Sequence, residues 1–479
     1  MKAKNIFKLA FLGTFLLFAS CSEDDLDLKY ELGDIYDTST GDIETESKLL
    51  YVTNGIYTSL GSSSFYGAQV LIFNEVVSEN VFVSNAESGY NINYQNLNWA
   101  ADSDLGFFNA GYDAIMKANI VINESSLPET EVVKSLKAEA KILRGFTYFT
   151  LAQLYTANPT SGKYQDYGLP LNVSTYNPNQ KLSRATVAET YDLIIQDLTE
   201  GIANMGTTVR TGSDKTFISP KAGKLILAKV YLTRGAAGDY EKAIALADEV
   251  LAGQPTLASA DMVDYFYSTT NSKTENRPET AFEIEQTSNY TLGVNAHPSA
   301  FFSNTGAHRS LLARADFYDA IKATSDKRKD LFSNSGQLAA DTPKGIWIRK
   351  WVRNTVDQGN YSLNVKVLRY TEAKYVKMEA MAKLGNTAGA LALLNEHAAE
   401  RGAAPYSGDA LTAILQDKQK EFIGEGYRFF DLKRNNLGFD RGTNCLTCSI
   451  DANSRYWILP IPLSELNRNP SMTQHPVWQ

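Results

Sequence analysis

The chain has 479 residues, a formal net charge of −8, and 43% hydrophobic and 11% aromatic residues. It contains no block of basic residues, so the composition argues against a protein that binds nucleic acid or an anionic lipid surface. The hydrophobic fraction suits a large packed body, and the length alone would allow two or three domains.

The first residues have the layout of a secretory signal peptide, in which a basic stub precedes an apolar run, here Leu9 to Phe18. The run is shorter than the roughly 20 apolar residues that span a bilayer. It ends in the sequence FASC, which is similar to a bacterial lipobox, except that Phe18 stands where leucine is usual. A lipobox is cleaved before its cysteine, so we expect a signal peptide at 1–20 and lipidation of Cys21. The alternative is an ordinary signal peptide followed by a cysteine by chance.

The segment 21–45 is acidic and poor in apolar residues, which is typical of a flexible tether. Its sequence SEDD, residues 22–25, is similar to the acidic signal that directs Bacteroidetes lipoproteins to the outer face of the outer membrane, although it also suits a merely solvated tether. No later apolar run approaches membrane-spanning length, so lipid is the expected anchor. We therefore expect an outer-membrane, lipid-anchored protein that faces the cell exterior, with its body at 46–479.

Most of the body has helical periodicity. Apolar residues recur at three- and four-residue steps between Glu131 and Tyr155, and a further helix is predicted from about Ala185 to Met205. Two later segments, 221–253 and 373–402, have the spacing of small and aromatic residues found in tetratricopeptide helix pairs. Each pair alone buries too little, and stacking supplies the core. The predicted fold class is mostly α, a tetratricopeptide-like helix-pair scaffold.

The helical period mostly fails between about 253 and 364, which is rich in Ser, Thr, Asn, Gly and aromatic residues. It holds short strand-like pieces, AFEIEQ and IWIRKWVR. We predict an irregular, loop-rich subdomain laid across the helices, and long ordered loops often carry function. In the second piece Trp347 and Trp351 alternate with arginines on one face of a predicted strand, which favours a stacked sheet face over a second ligand platform.

Two cysteines remain, Cys445 and Cys448. A zinc site of the ribbon type needs a second such pair or two histidines, and the four histidines of the chain have no ligand spacing. Exposure to oxidant outside the cell favours a local disulfide instead. The sequence predicts neither a metal site nor a cofactor.

Three stretches carry a family resemblance: AEAKILRGFTYFTLAQLY at 138–155, KEFIGEGYRFFDLKR at 420–434 and YWILPIPLSELNRNPSMTQHP at 456–476. Together with the lipobox, and in this order, they resemble the SusD/RagB family of nutrient-binding outer-membrane lipoproteins. One departure is His475, which stands where the family usually has asparagine. The residues that match the motifs of the family are Ala138, Glu139, Arg144, Phe146, Tyr148, Phe149, Glu421, Gly424, Glu425, Gly426, Arg428, Asp431, Leu432, Arg434, Pro460, Ile461, Pro462, Asn469, Pro470 and Gln474.

The resemblance implies an eight-helix tetratricopeptide scaffold that carries loops on one face, a SusD-like fold. It also implies a partner, a TonB-dependent barrel of the SusC type, over which the lipoprotein sits as a lid. Such a pair imports oligomers, usually glycans and less often peptides.

Two stretches have the composition of a sugar-binding surface. A sugar ring has an apolar C–H face and a polar rim, which suits an aromatic side chain beside Asn, Asp, Arg or Gln. The stretches 87–104 and 286–309 offer this mixture, in the regions from which the resembling family often takes its ligand contacts. For each aromatic residue the alternative is a place in the core. The predicted ligand-binding residues are Tyr90, Tyr94, Asn96, Trp99, Tyr290, Asn295, His297 and Phe301.

Glu421 and Glu425 are predicted to share a helix face, an arrangement that could place two carboxylates at a glycosidase cleft. The basic residues around them favour ion pairs that fix helix packing, and in the resembling family this motif is structural. The sequence has no nucleophile elbow and no phosphate loop. We therefore expect no enzyme, and no catalytic residue is proposed.

The leading hypothesis is a surface lipoprotein that captures an oligosaccharide and passes it to a TonB-dependent transporter. A second hypothesis keeps this architecture with peptide cargo. A third is a protein-binding scaffold without a small ligand, which a flat, charged loop face would support and a deep aromatic pocket would oppose.

Overall fold

The structure, a computed structural model, describes residues 43–479 apart from 85–88, 176, 178, 207–208, 211–213, 256, 269, 288, 336–343, 354–360 and 444. Residues Thr45–Gln479 form one compact unit. The predicted signal peptide, Cys21 and the acidic sequence after it lie outside the described residues.

Helices make up most of this unit. The α-helices are α1 (Glu46–Leu60), α2 (Gln69–Val77), α3 (Ile92–Gln95), α4 (Phe107–Ile122), α5 (Glu131–Tyr155), α6 (Val187–Asn204), α7 (Pro220–Arg234), α8 (Asp239–Leu251), α9 (Met262–Phe266), α10 (Asn271–Thr274), α11 (Pro298–Phe302), α12 (Ala315–Lys322), α13 (Thr371–Lys383), α14 (Thr387–Glu400), α15 (Ala410–Phe422), α16 (Arg428–Arg434) and α17 (Leu463–Arg468). Short 3₁₀ helices lie at Pro159–Ser161, Ser259–Asp261, Lys327–Leu331, Arg455–Trp457 and Pro476–Trp478.

Eight of the helices stack in sequence order. Helix α1 packs on α4, α4 on α5, α5 on α6, α6 on α7, α7 on α8, α8 on α13 and α13 on α14. This is the arrangement of a helical solenoid, in which each helix contacts mainly its neighbours. The predicted mostly-α, tetratricopeptide-like scaffold is confirmed, as are the predicted helices at 131–155 and near 185–205.

Local sequence explains where the long helices begin and end. The Thr130 hydroxyl accepts the N–H of Val133 at 3.2 Å at the start of α5, and Thr186 and Glu189 form a capping box at the start of α6. Helix α7 ends at Gly235, whose φ of 61° is a left-handed conformation that glycine adopts without strain.

Helices α5 and α6 approach closely at Gly201. A Cβ atom there would lie 2.7 Å from the carbonyl oxygen of Ala138, so only glycine fits. One turn further along, the Arg144 guanidinium of α5 donates to both carboxylate oxygens of Asp197 on α6 at 2.7 Å. Both side chains are buried, so this bidentate pair fixes the register of the two helices.

The strands are short and pair antiparallel. They are β1 (Val81–Val83) with β3 (Leu311–Ala313), β2 (Thr280–Ile284) with β6 (Val365–Arg369), β4 (Phe332–Ser333) with β5 (Trp347–Ile348), and β7 (Phe439–Asp440) with β8 (Ser449–Ile450). The strand predicted in AFEIEQ is therefore confirmed as β2. The β1–β3 pair joins the segment just before residue 87 to the segment just after residue 309, and so brings the two predicted ligand stretches to one place.

The strand predicted over IWIRKWVR is wrong beyond Ile348, where β5 ends. The two tryptophans pack in different directions, which an alternating strand does not allow. Trp347 lies in a cluster with Phe82 and Leu312. Trp351 donates its indole N–H to the carbonyl oxygen of Gly424 at 2.7 Å, and both tryptophans are buried.

The predicted shared helix face of Glu421 and Glu425 is also wrong, because α15 ends at Phe422 and Glu425 lies in the turn after it. The predicted ion pairing is confirmed, although with partners distant in sequence. Arg369 contacts Glu425 at 2.7 Å and Glu421 at 3.5 Å. Lys350 contacts Glu425 at 2.6 Å, and these charged side chains are all buried. The network joins the mid-chain segment to the end of α15.

Cys445 and Cys448 form a disulfide, as predicted. The bond closes a short loop between β7 and β8 in an exposed part of the C-terminal segment. Among the described residues, no helix is both long enough and apolar enough to cross a membrane.

Candidate functional site

The loop at 89–99 is fixed to the scaffold through Gln95. Its side-chain oxygen accepts the N–H of Val83 at 2.5 Å, and its carbonyl oxygen accepts an N–H of Arg441 at 2.5 Å. Asn91 starts α3 with φ 65°, a left-handed conformation that asparagine tolerates better than most residues. Just before this turn, Tyr90 is 41% exposed, so the anchored loop presents this ring to solvent.

His297 organises the second predicted stretch. Its Nδ1 accepts the backbone N–H of Ser299 at 3.2 Å at the start of α11, so the ring proton lies on Nε2, which donates to the Leu363 carbonyl oxygen at 2.9 Å. Burial lowers the pKa of His297 to about 4, which keeps the imidazole neutral. The buried ring caps the helix that carries Phe301 and offers no accessible face to a ligand.

Tyr90, Phe301 and His308 form an aromatic cluster between the two predicted stretches. The Tyr90 ring lies 4.2 Å from the His308 ring and 5.7 Å from the Phe301 ring, centroid to centroid. Phe301 is buried and stacks on His308 at 5.1 Å. The exposed Asn295 contacts His308, with its Oδ1 3.3 Å from Nε2. The cluster thus combines an exposed ring, a half-buried imidazole and an amide, supported from below by Phe301.

Tyr290 lies at a different opening, a cleft of about 410 Å³ between α1, α4 and the segment 286–292. Its ring is 53% exposed. On the opposite wall, Lys117 donates to Asp113 at 2.9 Å and to the Ser59 hydroxyl at 2.7 Å. An exposed ring facing a polar wall has the mixed character that a sugar ring requires.

The other predicted residues of the first stretch lie in or near the core. Trp99 is 5% exposed and packs on Phe73 at 5.9 Å and Tyr456 at 5.3 Å. Tyr94 packs on Phe73 at 5.2 Å, and burial raises the pKa of its hydroxyl. Asn96 is half-buried at the end of α3. The structure therefore brings Tyr90, Asn295 and Phe301 together, buries Trp99 and His297, and leaves Tyr94 half-buried.

Sequence reasoning missed His308, which lies in the second predicted stretch. An isolated histidine without a partner in the sequence gives no signal, and its contact with Tyr90 depends on the β1–β3 pairing. Asp113 and Lys117 were missed as well. Their four-residue spacing on α4 is typical of an ordinary surface ion pair, and only the fold places them opposite Tyr290.

The paired glutamates do not have the environment of a catalytic acid. Burial would raise the pKa of Glu421, but the charges of Arg401, His397 and Arg369 outweigh it and hold this pKa well below its ordinary value. Glu421 accepts hydrogen bonds from Arg401 at 2.9 and 3.1 Å. An ionised, fully paired carboxylate at this depth stabilises packing. Among the described residues, no group of three or more His, Cys, Asp or Glu side chains could hold a metal ion.

Two family models match the chain. Residues 27–232 match a model described as "Starch-binding associating with outer membrane", and residues 258–478 match the model of the SusD family. No curated protein matches the sequence.

Solved structures resemble the chain over nearly its whole length. A SusD superfamily protein from Bacteroides thetaiotaomicron VPI-5482 is 24% identical, with 90% of this chain and 100% of that chain covered and a TM-score of 0.79. A SusD-like carbohydrate binding protein from Bacteroides vulgatus ATCC 8482 is 21% identical, with 89% and 97% covered and a TM-score of 0.76. A laminarin binding SusD-like protein is 20% identical, with 90% and 99% covered and a TM-score of 0.70. These similarities show a shared fold.

Proposed function

Because this chain belongs to the SusD family, we propose that it captures an oligosaccharide or polysaccharide at the cell surface and delivers it to a SusC-type TonB-dependent transporter. The mechanism is reversible binding followed by movement of a lid, with no bond made or broken. Two proteins of similar fold are a carbohydrate binding protein and a laminarin binding protein, which supports glycan cargo. The observation that carries the proposal is the aromatic cluster of Tyr90, Phe301 and His308.

The cluster has the physical requirements of a sugar contact. The exposed Tyr90 ring offers a flat apolar face to the C–H groups of a sugar. Asn295 and His308 provide hydrogen-bonding groups for the hydroxyls at its rim. Phe301 is buried and holds the other two rings in place, so the surface is formed before a ligand arrives.

We propose Tyr290 as a second contact along the same glycan, because its ring is exposed and only four residues separate it from Asn295. Trp99, Tyr94 and His297 act indirectly, by fixing the shape of the loops that carry the exposed residues. Asn96, half-buried at the end of α3, is kept as a candidate at the edge of the site.

Native gel retardation of the full chain in a mild detergent tests this site, with each gel cast with one polysaccharide. We expect retardation by at least one polymer, a loss of that retardation in Tyr90→Ala, and no loss in the matched control Tyr51→Ala. Tyr51 is a 63% exposed tyrosine on α1 that takes no part in the cluster.

Each result has a definite meaning. Retardation that survives Tyr90→Ala but not Tyr290→Ala would move the site to the cleft beside α4. If no polysaccharide retards the protein, glycan cargo is wrong, and a peptide library becomes the next screen.

The anchor and the partner are separate parts of the proposal. We propose lipidation of Cys21 and a position on the outer membrane facing the exterior, supported by the lipobox-like sequence and the outer-membrane association of the family. Cys21→Ala should abolish incorporation of a labelled fatty acid and release the protein from membranes. Solubilisation in mild detergent should retain a co-purifying β-barrel protein, and its repeated absence after cross-linking would contradict the lid model.

A further inference from the structure

A second cleft, of about 350 Å³, lies between the segment after α5 and the C-terminal segment, and none of its lining residues belongs to either predicted stretch. Of the described residues that line it, none is acidic and two are lysines, although the chain as a whole has a net charge of −8. The rest of the lining is amides, hydroxyls and two aromatic rings, with a few aliphatic side chains. Its polar and aromatic members include Asn158, Lys163, Tyr164, Lys433, Asn453 and Ser454.

Neither lysine has an acidic partner within the described part of the chain. The Lys163 ammonium donates to the amide oxygen of Asn453 at 2.7 Å. The Lys433 ammonium donates to the backbone carbonyl of Gln153 at 2.5 Å, and its residue is only 7% exposed. Burial without a compensating charge lowers the pKa of Lys433 to about 7. Lys433 thus differs from buried cations such as Arg144, Lys350 and Arg369, which are paired with carboxylates.

The walls of the cleft are held in place. Asn158 donates its amide N–H groups to the carbonyl oxygens of Lys433 and Arg434, at 3.1 and 2.9 Å. Its Oδ1 is buried and accepts no hydrogen bond from the described residues. Tyr164 has φ 55°, a left-handed conformation that is costly for a bulky residue and persists only when the surroundings impose it. The Tyr164 ring is nevertheless 42% exposed.

We propose that this cleft binds the carboxylate-bearing unit of an acidic saccharide, a hexuronic acid, at a site separate from the aromatic cluster. The carboxylate pairs with the Lys163 ammonium, and its charge favours the protonated form of Lys433, which then adds positive potential. Serine and asparagine side chains meet the hydroxyls, and the exposed Tyr164 ring covers a C–H face. The identification of the anion as a sugar acid rests on the proposed function. The preference of the cleft for an anion rests on the two lysines.

A phosphate group fits this lining less well. Phosphate sites in proteins usually present a helix N-terminus, a nest of backbone N–H groups or arginine forks. The described lining of the cleft has no arginine, and it is rich in side-chain amides, hydroxyls and aromatic rings, which are the groups that contact sugars.

Isothermal titration calorimetry on the full chain in detergent tests the proposal, with oligomers of galacturonic and glucuronic acid as ligands and the corresponding neutral oligomers as controls. We expect a uronic acid oligomer to bind at least tenfold more tightly than its neutral counterpart. Lys163→Met and Lys433→Met should each weaken that binding at least tenfold. Lys134→Met, which removes an exposed lysine paired with Glu131 on α5, should leave it unchanged.

Several results would overturn the inference. Equal affinity for neutral and acidic oligomers removes the preference for an anion, and unchanged affinity in Lys163→Met places the anion elsewhere. Tighter, lysine-dependent binding of inorganic phosphate would exclude the saccharide. Lys163 is exposed, so its variant stays informative even if Lys433→Met fails to fold. Retardation by a neutral polysaccharide without any uronate binding would contradict this inference alone and leave the proposed function intact.

Discussion

In the helical scaffold, neighbouring helices bury apolar side chains against each other, whereas the mid-chain region from 253 to 364 is attached through buried charged groups. Ile142 of α5 is fully buried and packs where Gly201 of α6 and Gly223 of α7 leave room for it. Arg369, just past the mid-chain region, contacts three carboxylates from two distant parts of the chain. The rigid frame and the position of the ligand loops therefore depend on different interactions.

Substitutions affect apolar packing and buried ion pairs in different ways. Removing a buried methyl group leaves a cavity, and the cost is local to the site. Removing one member of a buried ion network leaves the remaining charges without partners, which costs more and loosens every segment that the network joined. The ligand loops should therefore be sensitive to charge changes that lie far from any ligand.

The largest effect is expected for Arg369→Met. Arg369 is 1% exposed and pairs with Glu279 at 3.1 Å, Glu421 at 3.5 Å and Glu425 at 2.7 Å. Its loss should lower the free energy of unfolding by about 3–5 kcal/mol, because Glu279 is left without a cation partner among the described residues while Glu421 and Glu425 each lose one. Denaturant unfolding followed by tryptophan fluorescence measures this change. Glycan binding should weaken as well, since the mid-chain region loses its attachment.

Two further variants make this prediction decisive. Lys134→Met breaks an exposed pair with Glu131 and should change the stability by less than about 0.5 kcal/mol. Adding Glu279→Gln to Arg369→Met should recover part of the loss, because Glu279, unlike Glu425, has no second cation partner among the described residues. A loss below about 1 kcal/mol in Arg369→Met would show that the network does not attach the mid-chain region.

A smaller effect is expected for Ile142→Ala in the scaffold. The fully buried side chain fills the space between α6 and α7, so its truncation should lower the free energy of unfolding by about 3 kcal/mol. Glycan affinity should not change, because the ligand loops do not depend on this contact. Denaturant unfolding and gel retardation of the same sample test both statements. A loss of glycan binding in Ile142→Ala would show that the ligand loops also depend on packing within the scaffold.

The smallest effect is a pH dependence that comes from His297. Its pKa in the folded protein is about 4, below the ordinary value of 6.5, so the unfolded chain takes up the proton first as the pH falls. The stabilisation that His297 contributes to the folded protein is present above about pH 6.5 and is lost as the pH falls towards 4. Between pH 7.5 and pH 5 the loss should be about 2 kcal/mol.

His297→Gln isolates this contribution, since glutamine can still donate to the Leu363 carbonyl oxygen but does not titrate. The difference in unfolding free energy between the natural chain and this variant should shrink or reverse between pH 7.5 and pH 5. A difference that stays constant over this range would mean that the imidazole is not held neutral at the N-terminus of α11.

Much of the scaffold could be predicted from the sequence. The apolar stripe at 131–155 and the small residues of 221–253 and 373–402 repeat with the period of a helix, and periodicity is a local property. The strand predicted at 347–353 is wrong beyond Ile348. Tryptophans and arginines alternate in this sequence, but the two tryptophans pack on different neighbours. The prediction that Glu421 and Glu425 share a helix face is wrong because the helix ends between the two residues.

The candidate site could be predicted only as two stretches. Tyr90 and Trp99 lie in the same local pattern of aromatic residues and asparagines, yet one ring is 41% exposed and the other 5%. Trp99 is covered by Phe73 and by Tyr456, which is more than 350 positions further along the chain. No local pattern reports such a neighbour.

The sequence by itself determined the periodic helices, the family motifs and the two stretches from which ligand contacts were expected. The tertiary structure alone decided which rings reach solvent, which carboxylates meet which cations, and that His308 joins Tyr90. The physical reason is that helix formation depends on spacing along the chain, whereas exposure and ion pairing depend on which distant segments pack together. In this protein a single short pairing, β1 with β3, brings the two ligand stretches to one surface.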